Sequence, residues 1–227
     1  MRVGIFDSGI GGLTVLKELQ KKYPNNEYFY YGDTLNTPYG DKSKEELFFL
    51  ASKIIKYFEE KNVELIIVAC GTISSTVYQD LQKLTTIPLY NVIDPVIEYI
   101  NELPYKNILV LATTNTVNSR KFKNELKNNV KEVALPLLVN LIENGMSTKH
   151  VLKESLIDEF DADAVVLGCT HYPLIKEELK EVIKYPFDLI DMGKIFSERI
   201  DLGNDKKSLD LYFTKETDEH IINKILG

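Results

Sequence analysis

The chain has no tryptophan and only two cysteines, Cys70 and Cys169, in 227 residues. Two cysteines are too few for a disulfide-stapled secreted module, so both are read as reduced thiols. Long apolar runs are missing as well. Stretches such as LIIVA and ILVLA fall far short of the ~20 residues that span a bilayer. The opening MRVGIFDSGIGG turns polar at Asp7 and carries no signal-peptide hydrophobic region. An excess of basic charge is absent too. A net charge of −7 gives a nucleic-acid partner no electrostatic support. The expectation is a cytoplasmic protein with neither a nucleic-acid nor a membrane partner. With 44% hydrophobic and 27% charged residues, the chain is expected to form one large domain or two small ones.

Short β-rich runs alternate with helical patterns along the chain. Strands are expected at 3–6, 28–31, 65–69, 89–93, 108–112, 133–135, 164–168, 189–191 and 209–213. Continuous apolar runs of this kind suit parallel strands covered on both faces. Helical patterns occupy 12–22, 44–61, 75–84, 95–103, 119–128, 149–160, 174–184 and 218–226. Ser43 and Glu46 have the spacing of a capping box, in which each side chain satisfies an orphan N–H of the other residue. LIIVACGT (65–72) resembles AVVLGCTH (164–171), which puts the two cysteines 99 residues apart at matching points. VGIFDSGIGG and NILVLATTNT are separated by a similar interval. The expected fold is therefore α/β, with two similar doubly wound parallel-sheet domains facing an interdomain cleft. Residues 1–95 with 208–227 form the first domain, carrying Cys70. Residues 96–207 form the second, carrying Cys169.

A lone cysteine after an apolar strand is usually a small buried hydrophobe. Two at equivalent points of a repeat, each followed by small or hydrogen-bonding residues, are harder to read that way. A disulfide disagrees with the compartment, and a metal site built from Cys70, Cys169 and His171 has no compact zinc spacing. A single nucleophile, or a pair of acid–base thiols on opposite faces of one substrate, stays open. The second reading suits inversion of a carbon centre, with one thiolate as base and one thiol as acid. Near-attack contacts on each face would place the sulfurs about 6–7.5 Å apart. DSGIGG (7–12) lacks the spacing of a nucleotide loop, and its glycines suit a tight strand-to-helix turn. Asp7 and Ser8 at that strand end could hold an ammonium group or support a thiol. Tyr39 and Gly40, in the polar loop GDTLNTPYG, could cradle a carboxylate with their N–H groups. His171 sits two residues from Cys169, where an imidazole tunes or relays a proton. His150 and His220 lie on helical patterns and read as surface residues.

Together, FDSGIGGLTVLKEL, YGDTLNTPYGDKS, the VAC-x-T strand end and LGCTHYPLI resemble the aspartate/glutamate racemase family. LATTNTVNS, LPLLVNLIENG and YFTKETDEHI extend the resemblance over nearly the whole chain. It implies a cofactor-independent racemase with no metal, in which Cys70 and Cys169 are the two acid–base thiols. Asp7 would assist on the Cys70 side, Glu143 and His171 on the Cys169 side. Ser8, Pro38, Tyr39, Gly40, Gly71, Thr72, Thr113, Thr116 and Thr170 would shape the substrate pocket, together with Asp7 and His171. The implied substrate is glutamate, and the implied role is supply of D-glutamate for peptidoglycan, hence for cell-wall biogenesis and cell shape. Homodimer formation is also implied. Gly71 stands where the family usually has asparagine, so racemisation of another amino acid such as aspartate, or binding without turnover, are the alternatives.

Overall fold

Apolar β-branched runs set the frame. The structure is a computed structural model describing residues 1–203 and 207–227. The strands are β1 (Arg2–Asp7), β2 (Glu27–Gly32), β3 (Leu65–Val68), β4 (Leu89–Asn91), β5 (Asn107–Ala112), β6 (Asn129–Ala134), β7 (Ala164–Leu167), β8 (Asp188–Asp191) and β9 (Ser208–Phe213). They build two sheets, ordered β4-β3-β1-β2-β9 and β6-β5-β7-β8, with parallel pairing throughout. The second order repeats the first without its last strand. In each half the chain leaves the central strand to one side and returns on the other. The carboxyl ends of β1/β3 and of β5/β7 are therefore topological switch points, where such sheets bind ligands. The chain is thus a two-domain α/β protein. Residues 204–206 of the stretch assigned by sequence to the second domain lie outside the described residues.

The helices are α1 (Leu13–Lys22), α2 (Lys44–Glu60), α3 (Gly71–Thr76), α4 (Tyr78–Leu81), α5 (Asp94–Asn101), α6 (Thr114–Ser119), α7 (Lys121–Glu125), α8 (Leu137–Glu143), α9 (Lys149–Glu154), α10 (Lys176–Val182), α11 (Met192–Arg199) and α12 (Glu219–Leu226). The capping box forms as the spacing predicts. Ser43 N–H donates to Glu46 Oε2 at 2.9 Å, and Glu46 N–H donates to Ser43 Oγ at 3.2 Å. Helix α2 then buries Leu47, Ala51, Ile54, Ile55 and Phe58 against one face of the first sheet. Helices α1, α5 and α11 cover the other face, and α11 packs between α1 and α5 to join the domains. No helix among the described residues is long and apolar enough to cross a membrane.

Several helix limits differ from the sequence expectation, and each difference has a local cause. The helix expected at 75–84 begins at Gly71, directly after Cys70, and breaks at Val77 into α3 and α4. The one expected at 119–128 starts earlier, because the Thr113 side chain caps the Thr116 N–H. It is then broken at Arg120, whose φ of 56° is left-handed. Leu156, at φ 52°, ends α9 well before residue 160. Strand β6 begins four residues ahead of the expected 133, since its charged Lys131 and Glu132 mask the apolar pattern. Helices α8 and α11 lay outside the expected set. Each is only about two turns long.

Candidate active site

The two thiols occupy matching places. Cys70 follows β3 and is the residue before the first turn of α3, while Cys169 follows β7. Both are free and buried, and both line one small cavity between the domains. Pro38, Tyr39 and Gly40 form one wall, Gly71, Thr72 and Thr113 another. Ser8, Thr170 and His171 close it on the side of the β1 turn. The free volume is about 20 Å³, room for roughly one water molecule. Among the described residues, no three His, Cys, Asp or Glu side chains are grouped as a metal site.

The surroundings of the two sulfurs differ. Cys169 Sγ lies 3.8 Å from His171 Nδ1, and His171 Nε2 lies 2.8 Å from Glu143 Oε1. Glu143 ends α8, and its carboxylate accepts from the imidazole. Burial by itself lowers the proton affinity of His171. The Cys169 sulfur and the Glu143 carboxylate outweigh it and raise the imidazole to about 10. Below that pH an imidazolium stands beside Cys169 and supplies a counter-charge to a thiolate. Among the described residues, Cys70 has no such cation. Burial, and next the negative charge of Asp7, push its thiol up to about 12, so it rests protonated at neutral pH.

Asp7 is fully buried at the end of β1. Its Oδ2 accepts from Gly9 N–H at 3.0 Å, and its Oδ1 accepts from Thr170 Oγ1 at 3.1 Å. Burial raises its carboxyl above the usual range, against an opposing pull from His171. Its hydrogen bonds thus reach across to the Cys169 strand end, while it bears on Cys70 by charge. The turn can pass this close because of its glycines. A β-carbon on Gly11 would lie 2.4 Å from His171 Nδ1.

Thr116 lies behind the cavity wall. Its hydroxyl is 3.0 Å from Thr113 Oγ1, which is 2.9 Å from Thr72 Oγ1. This run of hydroxyls ties α3 of the first domain to α6 of the second. Glu143 and Asp7 likewise support the cavity from behind rather than line it. His150 and His220 are exposed. Sequence reasoning missed Val139 and Gly168, which also line the cavity. Val139 belongs to the unexpected α8, and an aliphatic residue carries no chemical signal of its own.

The structure adds a steric condition at Gly71. Its backbone is not in the left-handed region, and it forms the first residue of α3. A β-carbon there would lie 2.6 Å from the Gly168 carbonyl oxygen. Close approach of the two strand ends, not conformational freedom, is what calls for glycine.

Residues 32–198 match the model of the Asp/Glu/Hydantoin racemase family. The chain is 36% identical over 241 residues to a glutamate racemase of Aquifex aeolicus, an alignment covering 100% of this chain and 94% of that one. It is 40% identical over 225 residues to a glutamate racemase of Fusobacterium nucleatum, covering 91% and 84% respectively. Among solved structures, the glutamate racemase of Campylobacter jejuni matches with a TM-score of 0.88 at 31% identity, covering 99% of this chain and 96% of that one.

Proposed function

This chain belongs to the Asp/Glu/Hydantoin racemase family, and we propose that it interconverts L- and D-glutamate by proton transfer between two thiols, without a cofactor. One observation carries the reading: two buried thiols at equivalent strand ends line the same cavity, in contrasting electrostatic settings. With glutamate between them, one sulfur removes the α-proton as thiolate and the other delivers a proton to the opposite face. Inversion follows because the carbanion is reprotonated from the far side. Cys169 acts with His171, which holds a proton at Nδ1, and Glu143 orients the ring through Nε2. Cys70, protonated at rest, is the acid for one direction of turnover. Asp7 assists at Cys70 and positions Thr170. Hydroxyls of Ser8, Thr72, Thr113 and Thr170, with the Pro38-Tyr39-Gly40 wall, hold the substrate's charged groups, and Thr116 supports Thr113.

The same reading divides the chain into 1–95 with 208–227 and 96–207, one thiol in each domain. It makes the protein a cytoplasmic source of D-glutamate for peptidoglycan, hence for cell-wall biogenesis and cell shape, and includes homodimer formation.

The test is incubation with L-glutamate in deuterated water, with no additions. Chiral chromatography follows D-glutamate, and proton NMR follows loss of the α-proton signal. Appearance of D-glutamate together with deuterium uptake is the expected result. Activity on L-aspartate alone would move the substrate assignment. Silence on both would favour a binding protein.

A further inference from the structure

Asp33, just after β2, is a buried carboxylate outside the cavity, and its partners gather from three segments. Tyr39 Oη donates to its Oδ2 at 2.5 Å. Thr214 Oγ1 donates to its Oδ1 at 2.8 Å. Asn36 Nδ2 reaches its two oxygens at 2.9 and 3.0 Å. Its own N–H donates to the Asp7 carbonyl at 3.1 Å, at the end of β1. All the side chains holding the carboxylate are neutral donors, so its charge is carried by hydrogen bonds of fixed direction. Such charge-assisted bonds are short and strong. Tyr39 is itself buried and forms part of the cavity wall.

Thr214 directly follows β9, the strand the chain adds to the first sheet near its C-terminus. Its hydroxyl also accepts from Leu35 N–H at 2.9 Å. Beside it, Thr34 Oγ1 accepts from Lys215 N–H at 3.0 Å and donates to the Lys215 carbonyl at 3.1 Å. The cavity-lining loop is thus stitched at one end to the C-terminal strand, with Asp33 in the middle. Neither Asp33 nor Thr214 lines the cavity.

We propose that Asp33 and Thr214 are positioning residues for the reaction: together they fix the loop bearing Pro38, Tyr39 and Gly40, so the C-terminal strand sets the geometry of the substrate pocket. The proposal rests on the racemase reading for its kinetic consequence, but not for its structural one. Buried carboxylates with converging neutral donors lose their arrangement when one donor is removed. Removing the Thr214 hydroxyl breaks its bonds to Asp33 and Leu35 and so loosens the loop end without touching any group that meets substrate.

The test uses the full-length protein with Thr214→Val, Thr214→Ser and Asp33→Asn. Hydrogen–deuterium exchange, read by mass spectrometry, follows peptides covering 33–42. Racemisation kinetics are measured alongside. For Thr214→Val the expected result is exchange in that loop at least about tenfold faster, one factor of ten in local opening. KM for glutamate should rise several-fold while kcat falls by less. Thr214→Ser, which keeps the hydroxyl, should restore both. Asp33→Asn should give the same pattern, and the double variant should add little because the two act as one unit. Loop exchange and KM at the parent level in Thr214→Val would overturn the proposal. So would a uniform rise in exchange across the protein, which would mean a merely structural threonine. A parent protein inert toward glutamate would instead refute the racemase reading, and loop exchange would still decide this one.

Discussion

The contact between Gly71 and Gly168 lends itself to a sharp experiment, Gly71→Ala. Helix propensity favours the change, since alanine in a helix is better than glycine by up to about 1 kcal/mol. Position 71 is helical with no left-handed angle to relieve. The space around it decides otherwise. The new β-carbon would meet the Gly168 carbonyl oxygen at 2.6 Å and Met192 Cε at 3.6 Å. The methionine end can move. The carbonyl cannot swing easily, because Gly168 is itself held by a 2.7 Å hydrogen bond from its N–H to the Leu111 carbonyl. Ordinary contact would need the two strand ends to separate by at least about 0.8 Å, and interiors of this density pass such strain on. Cys70 and Cys169 are the adjoining residues, so the separation falls directly on the distance between the thiols.

A misplacement near 1 Å can cost about a hundredfold in rate. Gly71→Ala should therefore lower kcat/KM about ten- to a hundredfold, with folding intact. Gly71→Asn should lower it at least as much. An opposite forecast follows from chemistry alone: an amide at 71 would add hydrogen bonds to a charged substrate, about 1.5–3 kcal/mol each, and raise activity. The assay is racemisation of each glutamate enantiomer followed by circular dichroism, with thermal melts as a folding control. Parent-level kcat/KM in Gly71→Ala, or a gain in Gly71→Asn, would refute the steric argument.

Cys70→Ser and Cys169→Ser should each lower racemisation by roughly 10²–10⁴, the usual worth of a positioned acid or base, as chiral chromatography over long incubations will read. Glu143→Gln should move the His171 titration down from about 10 toward the ordinary value, seen by NMR of the three histidines, two of which are exposed. His171 also links stability to pH. Its folded-state value is raised, so its contribution is complete below about 6.5 and is lost as pH climbs toward about 10. The melting temperature of the parent should fall more steeply between pH 6.5 and 9 than that of Glu143→Gln. The comparison stops there because Cys70, raised from 9.0 to about 12, acts in the same direction above it. Phe58→Ala should cost about 3–5 kcal/mol, or roughly 6–20 °C in a chain of this size, because Phe58 is wholly buried against Phe6 with ring centroids 6.4 Å apart. Calorimetry will check it.

How much of this the sequence disclosed follows from the length scale of each signal. The apolar runs at β1, β3, β5 and β7 are buried on both faces, so their composition alone announces central parallel strands. The repeat in the chain is the repeat in the sheets, and both thiols stand at its matching strand ends. Two short helices, α8 and α11, escaped. Helix α8, which delivers Glu143 and Val139, is only seven residues long, below the window in which a helical period is read. Breaks at Arg120 and Leu156 were invisible because neither residue type favours a left-handed angle. Asp33 drew no attention for another reason. Its partners Tyr39 and Thr214 lie 6 and 181 residues away, and one sequence has no means of reporting the longer of those two distances. Gly71 drew attention as a change in the pocket wall; its close contact with the Gly168 carbonyl of the other domain left no trace in the sequence.

The backbone around the thiols is nearly symmetric and the chemistry is not, and the reaction limits what that asymmetry can do. Enantiomers in water have equal free energies, so their equilibrium constant is one and kcat/KM must be equal in the two directions. A protonated Cys70 near Asp7 and a Cys169 facing His171 and Glu143 therefore cannot favour one enantiomer overall. What they can do is divide the same barrier differently between binding and chemistry. The enantiomer whose α-hydrogen faces Cys169 meets a sulfur with His171 beside it, whereas the other meets a Cys70 thiol that must first give up its proton. Unequal kcat values with matching inequality in KM are the signature of that arrangement. Equal kcat values would mean that the two thiols are matched despite their surroundings, with Asp7 offsetting on one side what His171 does on the other.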